Sequence, residues 1–185
     1  VVDQFGYLTD SEKIAVIRDP QTGYDSAETF VPGGMYALVN ATTGATATSG
    51  TPAAWNGGAT DTSSGDRAWW FDFSSVTASG DYYVLDTTKN VRSYVFTISD
   101  TVYRNVLKQA VRMFFYQRAG QAKEAPYAGT GWIDGASHSK SLQDRNCRLY
   151  SRRTDASTER DLSGGWYDAG DYNKYTNWTA SYVIQ

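Results

Sequence analysis

Residues 164–175 read GGWYDAGDYNKY, with the carboxylates Asp168 and Asp171 three positions apart and Trp166, Tyr167, Tyr172 and Tyr175 around them. Three chemistries use such a stretch. A calcium loop of EF-hand type needs oxygen ligands at positions 1, 3 and 5, a glycine at 6 and a glutamate at 12. Counted from Asp168, positions 3, 5 and 6 are Gly170, Tyr172 and Asn173; counted from Asp171, positions 3 and 5 are Asn173 and Tyr175, with no glycine at 6. The EF pattern fails, and a less regular calcium site stays open. A plain polar turn needs only Asp and Gly, and the four letters DAGD alone favour it. A catalytic base site needs two carboxylates around one water, one to take its proton and one to orient it, in partly dry surroundings. Gly170 would then allow unusual backbone angles or a close approach, and the four aromatics would wall the site.

Other chemistry is thinly provided. Cys147 and His138 are single residues of their types, too few for an intrachain disulfide, a redox pair or a Cys/His metal site. His138 lies in the polar stretch 135–140 and reads as an exposed or locally bonded side chain. Net charge is −3, and Arg145, Arg148, Arg152, Arg153 and Arg160 interleave with Asp144, Asp155, Glu159 and Asp161. That is a solvated mixed-charge surface, so nucleic acid is not an expected partner. No apolar run is long enough to span a bilayer, which argues against a membrane partner. The chain starts without Met and shows no signal peptide, as expected of a leader removed or never included.

Two textures position these residues. Short apolar runs between turn signals fill residues 1–99: 13–18, 35–40, 68–73, 80–86 and 93–98. Their spacing predicts an immunoglobulin-like β-sandwich, with the Thr-, Ala- and Gly-rich residues after Asn40 as a connection. Trp69, Phe71 and Phe73 share one strand face. Trp69 and Trp70 read as sandwich-core residues in preference to a sugar-stacking platform. Aromatics make up 15 % of the chain, as in β-rich and in sugar-handling proteins, and the count alone favours strand filling.

The texture changes at Asp100. Ser99 and Asp100 are N-cap types, and Val102, Val106, Ala110, Met113 and Phe114 follow at helical spacing, widened by Tyr103, Leu107 and Val111. This predicts a helix of about five turns, closed by Gly120 as the residue after its C-cap, whose apolar face demands a partner. Residues 121–165 read as a loop too long for a mere connector, hence functional or ligand-bound. Residues 178–185 read as the opening of a second helix.

Three stretches, in order, carry a family likeness over nearly the whole chain. DQFGYL (3–8) with KIAV (13–16), then Tyr103, Arg104 and Leu107 with FFYQRAG (114–120), then DLSGGWYDAGDYNKY (161–175) resemble glycoside hydrolase family 9, the cellulases with an N-terminal immunoglobulin-like domain. The resemblance implies an all-β immunoglobulin-like sandwich over residues 1–99, then the beginning of an all-α (α/α)6 barrel over residues 100–185. It implies inverting hydrolysis of β-1,4-glucosidic bonds, with Asp171 as general base and Asp168 helping to hold the attacking water. An inverting pair stands roughly 6.5–9.5 Å apart, so Asp168 and Asp171 suit one shared water better than the roles of acid and base. Trp166, Tyr167, Tyr172 and Tyr175 are the candidate substrate-binding residues.

The family's acid is a glutamate from much further along the catalytic domain. Glu12, Glu28, Glu124 and Glu159 match no acid motif, so the acid is expected beyond Gln185 and the chain is expected to be part of a larger enzyme. Some members hold a structural zinc with Cys and His, including a His just before the DAGD. Here Tyr167 takes that place and Arg148 follows Cys147, so zinc is not expected. No cofactor is required for the chemistry, and structural calcium stays open with its ligands unplaced. The implied partners are a β-glucan polysaccharide and the remainder of the catalytic domain; the implied location is secreted, of bacterial type. The competing class is a carbohydrate-binding sandwich with no catalysis of its own, which binding by residues 1–99 alone would distinguish.

Overall fold

Alternation of apolar side chains builds the first half of the molecule. The computed structural model describes residues 1–184, Tyr182 by its backbone alone. The strands are β1 (Ile14–Pro20), β2 (Tyr36–Asn40), β3 (Thr46–Gly50), β4 (Ala53–Ala54), β5 (Asp66–Asp72), β6 (Gly80–Asp86), β7 (Val91–Arg92) and β8 (Phe96–Ile98). One sheet runs β1-β5-β4; the other runs β3-β2-β6-β7, with β8 also on β6. Every paired strand is antiparallel. Ala15, Ile17, Phe71 and Phe73 from one sheet and Leu38, Tyr82, Val84, Phe96 and Ile98 from the other enclose a single core. Burial of such side chains contributes roughly 1.5–3 kcal/mol each, and the rings of Tyr7, Phe73 and Phe96 meet at 5.2–5.5 Å.

The expected sandwich is present, with two corrections. The segment after Asn40, expected as a connection, supplies β3 and β4; β3 pairs with β2 from Tyr36 opposite Gly50 onward, with a register shift at Leu38/Val39. Its Thr, Ala and Ser side chains are largely exposed, so no apolar alternation announces it, and backbone hydrogen bonds alone hold this edge. The adjacent tryptophans also part company: Trp69 packs against the core, whereas Trp70 is 44 % exposed on the outer face.

Two buried polar groups brace the sandwich. Lys13, fully buried, donates from Nζ to the carbonyls of Leu8, Thr9 and Ser11. Asp86, also buried, accepts from the backbone N–H groups of Gly33 (2.7 Å), Thr88 and Lys89.

Packing divides the chain into two units, Val1–Val106 and Leu107–Gln185. Ser99 Oγ accepts from Thr101 N–H at the turn before α1 (Arg104–Tyr116). At 13 residues that helix is shorter than the five turns expected, because residues 100–103 form a turn and the chain becomes extended again at Arg118. Gly120 (φ +72°) lies in the turn after that extended stretch and so does not cap the helix. No residue of α1 is buried; Leu107, Val111 and Met113 are exposed.

The long loop is not structureless. It holds α2 (Ala125–Ala128), opened by Pro126 in its first turn where the missing N–H costs nothing, and four short 3-10 turns. The second expected helix is α3 (Thr176–Ile184); Gln185, included in the expected span, lies outside the described residues.

Candidate active site

A two-stranded clasp presents the DAGD stretch. Arg118, just past α1, bridges antiparallel to Trp166. Ala119 N–H donates to the Gly165 carbonyl and Tyr167 N–H to the Gln117 carbonyl, both at 2.9 Å. Gly164 and Gly165 take φ values of +87° and +75°, which glycine adopts without the steric cost borne by other residues. That reversal sets up the clasp. Gly170, which could allow unusual angles or a close approach, uses no positive φ, and a Cβ there would meet open space.

The four aromatics do different work. Trp166 is half-buried, its Nε1 donating to the Phe114 carbonyl at 2.9 Å and its ring lying 4.5 Å under the Arg118 guanidinium. Tyr167 is buried and its hydroxyl donates to Ser137 Oγ. Its ring stands edge-on to His138 and to Tyr172, at 5.6 and 5.1 Å. Tyr172 and Tyr175 are exposed, the latter ring 5.7 Å from that of Trp178. Trp166 and Tyr167 therefore support the turn, and Tyr172 and Tyr175 offer ring surface.

The two carboxyls address each other. Asp168 N–H donates to the Asn173 carbonyl (3.1 Å), and Asn173 N–H donates to Asp171 Oδ1 (3.1 Å). A hydrogen bond with Asp171, then burial, then the Asp171 charge push the Asp168 carboxyl above the usual carboxylate range. The same bond, with the Asn173 N–H, holds Asp171 below it. Asp168 Oδ1 is shielded from solvent and takes no donor from the described residues. Opposed displacements of two neighbouring carboxyls belong to the pair as a unit, Asp171 favouring the charged form and Asp168 the protonated one.

Residues inside and outside the motif lock the turn in place. Gln117 Nε2 donates to the Ala169 carbonyl at 3.0 Å. Lys174 Nζ is paired with Asp144 at 2.5 Å and donates to the carbonyls of Leu162 and Gly164. Asp144 also faces His138 Nδ1 at 3.4 Å, and that buried nitrogen takes no hydrogen bond from the described residues. Lys123, almost fully buried, donates to the carbonyls of Arg118 (2.6 Å) and Gln121 (2.8 Å), and burial lowers its pKa. Lys174 lies inside the motif and was readable as a candidate; Gln117, Lys123 and Asp144 carry no sequence signal of this role.

Arg148, beside Cys147, is engaged with Glu159 at 2.5 Å, and the guanidinium holds the Glu159 carboxyl below its usual range. Among the described residues, no three of His, Cys, Asp and Glu gather as a metal would need.

Sequence comparison places both halves. The model for glycosyl hydrolase family 9 matches residues 103–185, and that for the cellulase N-terminal ig-like domain matches residues 1–91. The chain belongs to glycosyl hydrolase family 9. Among its family 9 relatives is a xyloglucan-specific endo-beta-1,4-glucanase, BoGH9A, of Bacteroides ovatus. It is 30 % identical over 181 residues, which are 94 % of this chain and 27 % of that protein. Endoglucanase D of Acetivibrio thermocellus is 35 % identical over 104 residues, 56 % of this chain and 16 % of that protein. Among solved structures, a family 9 protein of Bacteroides ovatus superposes with a TM-score of 0.70 at 27 % identity, covering 94 % of this chain and 28 % of the other. AaCel9A in complex with cellobiose-like isofagomine gives 0.66 at 26 %, covering 95 % and 27 %. The chain thus spans about a quarter of the length of the relatives that it matches nearly end to end. Among the described residues no helix is long and apolar enough to cross a membrane.

Proposed function

We propose that this chain carries the general-base side of an inverting hydrolase of β-1,4-glucosidic bonds in cellulose or a related β-glucan. Asp171 takes the proton of the attacking water and Asp168 holds that water in line. The observation that supports this most directly is the opposed displacement of the two carboxyls. The lowered pKa keeps Asp171 in the charged form that a base needs, and the raised pKa of Asp168 favours a proton with which to donate a hydrogen bond. The open space at Gly170 and the exposed rings of Tyr172 and Tyr175 suit an approaching sugar chain.

Residues 1–99 are then an accessory sandwich. Residues 100–185 begin a barrel of paired helices, (α/α)6, whose remainder is the chain's natural partner. The proton donor to the leaving oxygen is assigned to none of Glu12, Glu28, Glu124 or Glu159. Glu159 is unsuited in particular, because its Arg148 partner lowers its pKa where an acid needs it raised. A secreted location follows from a polymeric substrate that does not enter cells.

The test is hydrolysis of carboxymethylcellulose by the full-length protein and by Asp171→Ala. The expected loss is roughly 10²–10⁴-fold. Equal rates would refute the assignment.

A further inference from the structure

We infer that the outer face of the β1-β5-β4 sheet carries a saccharide subsite of its own, in which Trp70 and Trp55 grip one gluco-configured pyranose ring and Arg18, Asp66 and Asp61 receive its hydroxyls.

The sheet register creates the site. Trp70 on β5 lies opposite Val16 on β1 and Ala53 on β4, and Arg18 lies opposite Ala68. Strand alternation puts Val16, Arg18, Ala68 and Trp70 on the outward face. Ala68 is the small member among them and leaves a dip. Trp55, in the turn after β4, borders the same dip from the other side, and the hollow encloses about 220 Å³. That is below the ~300–1,000 Å³ of drug-sized sites and suits one ring.

The polar rim is already ordered. Arg18 holds Asp66 by two bonds, Nε to Oδ2 (3.0 Å) and Nη2 to Oδ1 (2.7 Å), and also reaches Asp25 (2.8 Å). Asp61 Oδ1 accepts from Ser63 N–H, Ser64 N–H and Ser63 Oγ at 2.6–3.0 Å. The Gly65 carbonyl, at the end of that turn, accepts from the Gln21 and Thr22 N–H groups.

A ring whose hydroxyls are all equatorial has two apolar C–H faces and a polar equator. Flat indole surface suits the faces, and fixed charged groups suit the equator. Preorganisation removes part of the ordering cost of binding. The core is served by the other face of β5, where Phe71 is buried and Trp69 packs partly buried against it, which leaves Trp70 free for a ligand.

The experiment uses the 185-residue chain and titrates it with methyl β-glucoside and with cellobiose, following the six indole N–H resonances by NMR. A one-ring site limits the affinity to a Kd on the order of 1 mM. Saturable shifts of the Trp55 and Trp70 indoles are expected. Trp70→Ala and Trp55→Ala should each weaken binding at least about tenfold at an unchanged thermal midpoint, and Asp171→Asn should leave it unaltered. Methyl β-galactoside, with one axial hydroxyl, should bind several-fold more weakly. The subsite is overturned if no saturable shift occurs at these two indoles up to about fifty times that Kd, if both Trp variants bind as the parent does, or if glucoside and galactoside bind equally. Because Asp171 is not involved, this outcome is independent of the hydrolysis test.

Discussion

At the scale of single residues, the Asp168–Asp171 pair makes a claim about protons that can be read without any substrate. Asp168 is raised by its bond to Asp171, and Asp171 is lowered by the same bond. As pH falls, Asp171 should hold its negative charge to below the usual carboxylate range. As pH rises, Asp168 should keep its proton to above it. Carboxyl carbon shifts of the 185-residue chain, followed by NMR across the acid range, should show these two displaced midpoints. Asp168→Ala removes the donor, so the Asp171 midpoint should climb toward about 3.9. Asp168→Asn retains an N–H donor and should leave it low. An Asp171 midpoint identical in the parent and in Asp168→Ala would show that the two carboxyls do not communicate. The spacing of the pair was visible in the sequence, but its proposed role came from the family resemblance, since the four letters DAGD alone favour a polar turn. The division of labour among Trp166, Tyr167, Tyr172 and Tyr175 was not. In a turn without period 2 or 3.6, residue type does not say which ring faces inward.

At the scale of elements, β2 and β6 form the centre of the larger sheet, and Asp86 at the end of β6 ties them to the turn at Gly33. Burial pushes the Asp86 carboxyl up, but N–H donors from Lys89, Gly33 and Thr88 outweigh it and hold the pKa below the usual value. A lowered folded pKa means that the stabilisation is complete above the unfolded value near 3.9 and is lost as pH falls through the folded one. Asp86→Ala strands three backbone donors and should cost on the order of 3 kcal/mol at pH 7, measured by urea unfolding. The difference from the parent should shrink toward pH 2. A pH-independent difference would mean that Asp86 acts through packing alone. Strands with apolar alternation were legible in advance, as were α1 and α3, whereas the short α2 fell in a stretch read as loop. The edge strands β3 and β4 were not, because their exposed Thr, Ser and Ala side chains leave only backbone hydrogen bonds to define them. The length of α1 was overread because Val102 and Tyr103 continue its apolar spacing backwards. In the structure they belong to a turn, where the Tyr103 hydroxyl donates to the Gly6 carbonyl at 2.8 Å.

At the scale of the whole molecule, burial is uneven. The first unit encloses a twelve-residue core. In the second, the buried residues among those described are Ala119, Lys123, Ala128, Thr158 and Tyr167. Local opening is easiest where few apolar contacts resist it. Amides of β2 and β6 should therefore exchange far more slowly than those of residues 140–163. Dilute thermolysin should cut first near the exposed Leu142 or Leu149. First cleavage within residues 36–98 would contradict this ranking. The clasp between residues 117–119 and 165–167 carries a further consequence, for how such a chain can diversify. It closes an excursion of more than forty residues while holding the carboxylate turn directly against the end of α1. Doubling the length of a flexible closed loop costs only about 0.6 kcal/mol. Insertions between residues 149 and 157, away from Ser137 and Asp144, should therefore be tolerated while the clasp keeps the carboxylates in register.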